Sequence, residues 1–340
     1  MHDHSKAQER STPPRPLSIG IWAKRIPWIT GFPVLVIMTV VLFGLSKQQG
    51  WLANPAVGIV IKTPIIVLLL FTLGQELLSL SDVEPSSLVS QAALHNFTGV
   101  VGGALATYLL SCDLGLGAVV ASGTIGLLGA LIFPGQAVPI YCGSFVGMVS
   151  PALLHCHSQV LLASVIAGVV FILSTGVLDG FGGKLGTIAF TGTVMAPLLV
   201  GQEFIPAEVP SNPLAWQIMG CAVAAAVVTY WLSVDLGHGA VVGSSVVGLV
   251  GGLILPAIAP EVGGLLAVVV IAASFTGMSS TSRIPNHVWM TLAGVVTGIA
   301  FIYSQPVLGG AGGKLGTLAF GSAMVAYGLH GLLERVGINI

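Results

Sequence analysis

The stretch Gly182-Gly-Lys-Leu-Gly-Thr-Ile-Ala-Phe190 decides how this chain is interpreted, because it returns almost unchanged as Gly312-Gly-Lys-Leu-Gly-Thr-Leu-Ala-Phe320. Each copy places two glycines and a lysine directly before an apolar run of helical length. A motif repeated in this way within one chain indicates an internal duplication. In membrane proteins built from duplicated units, the functional site lies where the two copies meet.

Further segments pair in the same order along the chain. They are 74–76 with 201–203, 107–120 with 229–242, and 144–148 with 274–278. Matches that keep their order over such a length predict two repeats, at about 74–200 and about 201–334. The first two apolar runs resemble a diverged copy of the sixth and seventh runs, because Lys62 precedes an apolar run as Lys184 does.

The composition is that of an integral membrane protein. Of 340 residues, 54% are hydrophobic and 7% are charged, and the mean hydropathy is +0.98. A soluble domain carries about 25% charged residues, so most of this surface is expected to face the lipid bilayer. The net charge of −1 does not favour a nucleic-acid partner. No catalytic triad order or metal motif occurs, so we predict neither an enzyme nor a cofactor.

About twelve apolar runs are long enough to cross a membrane. They lie at 29–46, 58–80, 92–111, 115–133, 137–154, 160–178, 183–200, 214–234, 237–256, 261–280, 287–307 and 313–334. Pro139 and Pro151 interrupt the run at 137–154, which is therefore expected to be broken or re-entrant. The predicted fold class is all-α, with a five-helix repeat in one polytopic membrane domain at 29–340.

The basic residues predict the orientation. With alternating spans and a cytoplasmic N-terminus, eight of the eleven lysines and arginines fall on the cytoplasmic side. Residues 1–28 are then a flexible cytoplasmic tail, the C-terminus is also cytoplasmic, and the expected location is the bacterial inner membrane. Five spans separate Asp113 from Asp235, and this odd number inverts the second copy about an axis in the membrane plane. One re-entrant segment per copy would make the copies parallel instead.

The repeated Gly-Gly-Lys-Leu-Gly-Thr motif is the first candidate for a solute site. Free N–H groups at a helix start bind anions, and a lysine adds a full positive charge. The alternative is that the glycines serve close packing while the lysines reach the lipid headgroups. The candidate residues are Gly182, Gly183, Lys184, Thr187, Gly312, Gly313, Lys314 and Thr317.

Two further groups of polar residues are candidates. Ser144, Ser274 and Thr276 place hydroxyls beside a helix-weakening glycine, either to offer unwound backbone to a solute or to pack helices. His95, Asn96 and Gln217 lie in predicted spans, where they serve a solute, a proton relay or a buried hydrogen bond.

Residues near the span ends are interpreted structurally. Asp113 and Asp235 are expected to cap the helices that follow them. His155 and His157 form a weak metal pattern that is better explained as a surface loop.

These features favour a transporter or channel-like permease for a small polar solute. An anion is favoured because the repeated motif is cationic, and the site is expected at the repeat interface. The duplicated architecture is similar to that of inverted-repeat carriers and urea-channel-like proteins, which implies a pore for a neutral solute as one alternative. A membrane scaffold or subunit with purely structural repeats is the other. A homo-oligomer is compatible with all three.

Overall fold

The computed structural model describes residues 19–53, 58–79 and 90–338, and their regular structure is helical apart from an isolated bridge between Ile205 and Gly309. The first six α-helices are α1 (Ile19–Ala53), α2 (Thr63–Ser79), α3 (Gln91–Tyr108), α4 (Ala118–Ile132), α5 (Ala137–Gly147) and α6 (His157–Leu173). The last six are α7 (Lys184–Val200), α8 (Asn212–Tyr230), α9 (Ala240–Ile258), α10 (Gly263–Thr276), α11 (His287–Ser304) and α12 (Lys314–Arg335). The predicted all-α class is therefore confirmed for the described residues.

Several helices have the length and composition of membrane spans. Six segments in the described ranges are long and apolar enough to cross a bilayer, and they belong to α1, α2, α8, α9, α11 and α12. Outward-facing residues such as Leu131 and Leu253, 68% and 60% exposed, suit contact with lipid rather than water. The prediction of twelve spans stays a prediction. Residues 1–18 of the predicted tail lie outside the described ranges, and α1 begins at Ile19, within that predicted tail.

The apolar run predicted at 137–154 is only partly helical. Helix α5 ends at Gly147 after 11 residues, and turns follow it. At 1.5 Å per residue this helix spans about 16 Å, roughly half of the hydrocarbon core. Its counterpart α10 has 14 residues and is also short. Both helices therefore end well inside the protein, and their last residues are fully buried.

Close contacts at glycines fix the relative directions of the helices. An ideal Cβ on Gly186 of α7 would lie 2.4 Å from the Cα of Gly316 of α12. A Cβ on Gly183 would lie 2.5 Å from the nitrogen of Phe320. The start of α7 thus lies beside a later part of α12, so these two helices cross in antiparallel directions.

The helix pair α4 and α9 has the same relation. Gly123 of α4 packs against Leu249 of α9, while Gly252 near the end of α9 packs against Val119 near the start of α4. These two helices, which the sequence matches to each other, therefore run in opposite directions.

Candidate functional site

Two cavities lie beside the two Gly-Gly-Lys helix starts. The Lys184 cavity has a volume of about 480 Å³, and its lining includes the loop before α7 together with Ala240, Val241 and Met278. The Lys314 cavity has a volume of about 260 Å³, and its lining includes the loop before α12 together with Ala118, Val119 and Met148. Because these two trios occupy matched sequence positions, each cavity combines the motif of one predicted repeat with the helix start of the other.

The glycines of the motif allow the close approach that builds this arrangement. An ideal Cβ on Gly182 would lie 2.3 Å from the carbonyl oxygen of Phe275, and one on Gly312 would lie 2.4 Å from that of Phe145. Gly183 and Gly313 cap the two helices with φ of 86° and 76°, a left-handed conformation that other residues adopt only with strain. Glycine is therefore required here by packing and by backbone conformation.

Both lysines of the motif donate hydrogen bonds to backbone carbonyl groups of the protein. Lys184 donates from Nζ to the carbonyl of Ser174 at 2.8 Å, and Lys314 donates to that of Ser304 at 2.6 Å. Ser174 caps the carboxyl end of α6, and Ser304 is the last residue of α11. An ammonium group at the carboxyl end of a helix interacts favourably with the helix dipole. Lys314 is only 7% exposed, which contradicts the headgroup interpretation for this residue.

Lys62 makes a similar contact ahead of α2. Its Nζ donates to the carbonyl of Ser46 and lies 3.8 Å from the centroid of the Tyr303 ring. A cation above an aromatic face is stabilised by the ring quadrupole. A hydrogen bond from a lysine to a carbonyl group near the end of the preceding helix therefore occurs three times in the described residues.

The motif threonines are buried but lie outside the lining of both cavities. Thr317 donates to the carbonyl of Gly313 at 3.3 Å, whereas the hydroxyl of Thr187 has no hydrogen-bond partner within the described part of the chain. Their positions in the first turn of each helix suit packing.

The hydroxyls of the other predicted site residues join helices. Ser144 and Ser274 are fully buried and hydrogen-bond to Ser122 and Ser244, each at 2.8 Å. Thr276 bonds to Thr297 of α11 at 2.8 Å. These contacts favour the packing alternative for the three residues.

His95, Asn96 and Gln217 are not brought together. Asn96 lines the Lys184 cavity, and Gln217 is exposed on α8. His95 is exposed in the second turn of α3, beside a largely apolar groove of about 690 Å³ between α3, α4 and α5. Such a lining suits a lipid chain better than a polar solute. Only Asn96 therefore belongs to the candidate site.

The expected capping role of Asp113 and Asp235 is wrong. The caps of α4 and α9 are Gly117 and Gly239. Asp113 instead ends a π-helical turn after α3 and accepts a hydrogen bond from His157 at 2.8 Å.

Asp235 makes the matched contact with His287 at 2.7 Å. The two Asp–His pairs are separated by 44 and 52 residues along the chain, and neither contact was visible in the sequence. No group of three metal-binding side chains occurs among the residues that the structure describes.

Two phenylalanines whose rings are in close, tilted contact lie between the two motifs. The rings of Phe145 and Phe275 have centroids 4.3 Å apart, and both residues are fully buried. Phe275 lines the Lys314 cavity, while its carbonyl contacts Gly182 of the Lys184 cavity. The ring of Tyr141 packs 4.4 Å from Phe145, and its hydroxyl bonds Ser244 at 2.9 Å. This aromatic cluster therefore lines the Lys314 cavity through Phe275 and lies next to Gly182 of the Lys184 cavity through the backbone carbonyl of the same residue.

Comparison of the chain with protein-family models, with curated proteins and with solved structures gives no match. The function is therefore inferred from the geometry of the two cavities and the aromatic cluster.

Proposed function

We propose that the chain is a membrane permease for a small polar solute, with an anion favoured. The observation that carries this proposal is the pair of equivalent cavities, each formed by the Gly-Gly-Lys start of one repeat and the Ala-Val start of the other. A polar solute site at the interface of two repeats is the general arrangement of such carriers.

The proposal includes an inverted five-helix repeat and twelve membrane crossings. The antiparallel contacts of α4 with α9 and of α7 with α12 support inversion, because the sequence matches the members of each pair. Twelve alternating crossings put Ser150 and Gly310 on one face, and the amide of Ser150 donates to the carbonyl of Gly310 at 2.9 Å. They put Ser280 and Gly180 on the other face, where the equivalent bond is 2.8 Å long.

In this proposal the two cavities are approached from opposite faces. The positive-inside rule assigns the Lys184 cavity to the cytoplasmic face and the Lys314 cavity to the outer face of the bacterial inner membrane. Phe145 and Phe275 form the barrier between them, and the two contacting rings must separate for a solute to pass. The termini are cytoplasmic, which reporter fusions at either end would test.

A structural scaffold is the second candidate. It is favoured by one observation, because Lys184 and Lys314 already bond carbonyl groups of the preceding helix and so have a role without a solute. The two candidates differ in whether solute crosses the membrane.

Flux into proteoliposomes distinguishes them. The purified chain would be reconstituted and tested with labelled small anions and with neutral solutes such as urea. Protein-free vesicles and vesicles that contain heat-denatured protein serve as controls. We expect saturable uptake of at least one anion. If a folded, correctly inserted protein moves none of these solutes faster than the controls, the permease proposal is wrong and the scaffold is supported.

A further inference from the structure

The two cavities differ in charge at one matched position. In the Lys184 cavity, the carboxylate of Asp179 lies 2.5 Å from Nζ of Lys184. In the Lys314 cavity, the position of Asp179 is occupied by Gly309, which has no side chain. Among the described residues, a carboxylate therefore pairs with one lysine of the repeated motif and none pairs with the other.

Lys314 lacks a compensating charge within the described part of the chain. No carboxylate lies within ion-pair distance of its Nζ there, and its hydrogen bonds go to the neutral carbonyls of Ser304 and Gln305 at 2.6 and 3.4 Å. The residue is 7% exposed and lines the cavity. A charge held away from water without a counter-charge is strongly disfavoured, so the site favours an anion that enters it.

A second matched position removes a hydrogen-bond acceptor from the same cavity. The amide of Gly182 donates to the hydroxyl of Ser279 at 3.0 Å. At the equivalent place beside Gly312 the residue is Val149, whose side chain accepts no hydrogen bond. The two sequence differences between the copies thus remove the carboxylate partner of the lysine and the hydroxyl acceptor of the glycine amide, and both differences lie at the Lys314 motif.

The rest of the cavity indicates what kind of anion fits. Its polar side chains are those of Ser150, Gln305 and Lys314, whereas Val119, Val268 and Phe275 contribute apolar lining. The volume of about 260 Å³ accepts only a small molecule. Asp179 shows which head group the motif binds, because its carboxylate occupies the equivalent place in the other copy.

We propose that the Lys314 cavity binds a short-chain monocarboxylate, with the carboxylate at Lys314 and the amide of Gly312 and the alkyl chain against Phe275. Transport of the monocarboxylate rests on the proposed function, whereas its binding does not, because binding requires no flux across the membrane. In the Lys184 cavity, Asp179 acts as an internal competitor and keeps the equivalent position occupied.

Isothermal titration of the purified protein in nanodiscs tests the site, with sodium propionate as the probe and sodium chloride at equal ionic strength as the reference. We expect one saturable propionate site in the parent chain. Lys314→Gln should weaken this binding by at least about tenfold, since a hydrogen bond to a charged group is lost. Lys47→Gln removes a charge from α1, outside that cavity, and is the matched control that should bind like the parent.

Asp179→Asn provides an independent arm if Lys314→Gln fails to fold. The substitution removes the internal carboxylate from Lys184 at a side chain that is 66% exposed, so the fold should persist. We expect the number of propionate sites to rise from one toward two. Absence of saturable binding in the parent, full binding in folded Lys314→Gln, or an unchanged stoichiometry in Asp179→Asn would each overturn the proposal. Equal binding of nitrate or phosphate would overturn the monocarboxylate assignment.

Flux measurements separate this inference from the proposed function. Propionate that binds but never crosses the membrane would refute the permease and leave the site intact. Transport of another solute, with no propionate binding, would refute the site and leave the permease intact.

Discussion

Replacement of Gly186 by alanine should push α7 and α12 apart where they cross. The new Cβ would lie 2.4 Å from the Cα of Gly316 and 3.0 Å from the carbonyl oxygen of Gly313. Carbon atoms in ordinary contact are about 3.5–4.0 Å apart, so the helices must separate by roughly 1 Å. Both contacts are with backbone atoms, which cannot rotate away as the end of a side chain can.

The expected net loss of stability is about 2 kcal/mol. Overpacking of a close contact typically costs about 1–3 kcal/mol, and the rigid backbone on both sides favours the upper end. The helix propensity of alanine is more favourable than that of glycine by about 1 kcal/mol, and Gly186 has the helical backbone that permits this gain in stability. The steric cost therefore outweighs the gain in helix propensity.

Gly102→Ala in α3 is the matched control, because an added Cβ there meets no atom within 4 Å. This variant should gain up to about 1 kcal/mol, so the two substitutions should differ by about 3 kcal/mol. Reversible unfolding in mixed micelles would measure both free energies of unfolding. A Gly186→Ala protein as stable as the parent, or a Gly102→Ala protein destabilised to the same extent, would refute the close crossing of α7 and α12.

Three further predictions test other contacts. Arg283 and Glu76 form a bidentate ion pair at 2.6 and 3.0 Å, and their side chains are 18% and 11% exposed. Arg283→Met alone should therefore lower the free energy of unfolding by about 3 kcal/mol, and the double variant with Glu76→Gln should lower it distinctly less. Additive losses would contradict the pairing. Ala152 and Ser282 are exposed and occupy matched sequence positions, so each can be replaced by cysteine in a chain from which the exposed Cys156 has been removed. The two new cysteines should react with an impermeant maleimide from opposite sides of the membrane, and labelling of both from one side would contradict inversion. Phe275→Ala should increase solute efflux from proteoliposomes, since it removes the ring that contacts Phe145, and an unchanged leak would show that the barrier lies elsewhere.

The helical class and the matched segments follow from the sequence because they depend on local properties. Hydropathy over about 20 residues predicts membrane helices whatever their neighbours are, and a repeated motif is visible without knowledge of its contacts. The position of Gly183 and Gly313 at the helix starts was predictable for the same reason. The local sequence led to a wrong prediction at Asp113, because an aspartate before a helix resembles a cap. Its carboxylate instead accepts a hydrogen bond from His157, which is distant in sequence.

The contacts that set the charge balance of the two cavities were decided by the tertiary structure. The sequence presents Lys184 and Lys314 as equivalent, and it does not show that each ammonium turns inward to the carbonyl end of the preceding helix. Nor does it show that Asp179 pairs with the first lysine, while no carboxylate of the described ranges pairs with the second, where Gly309 takes the matched position. A single matched position changes the electrostatics of the whole site, because an ion pair depends on a separation of a few ångströms that only the folded loops establish.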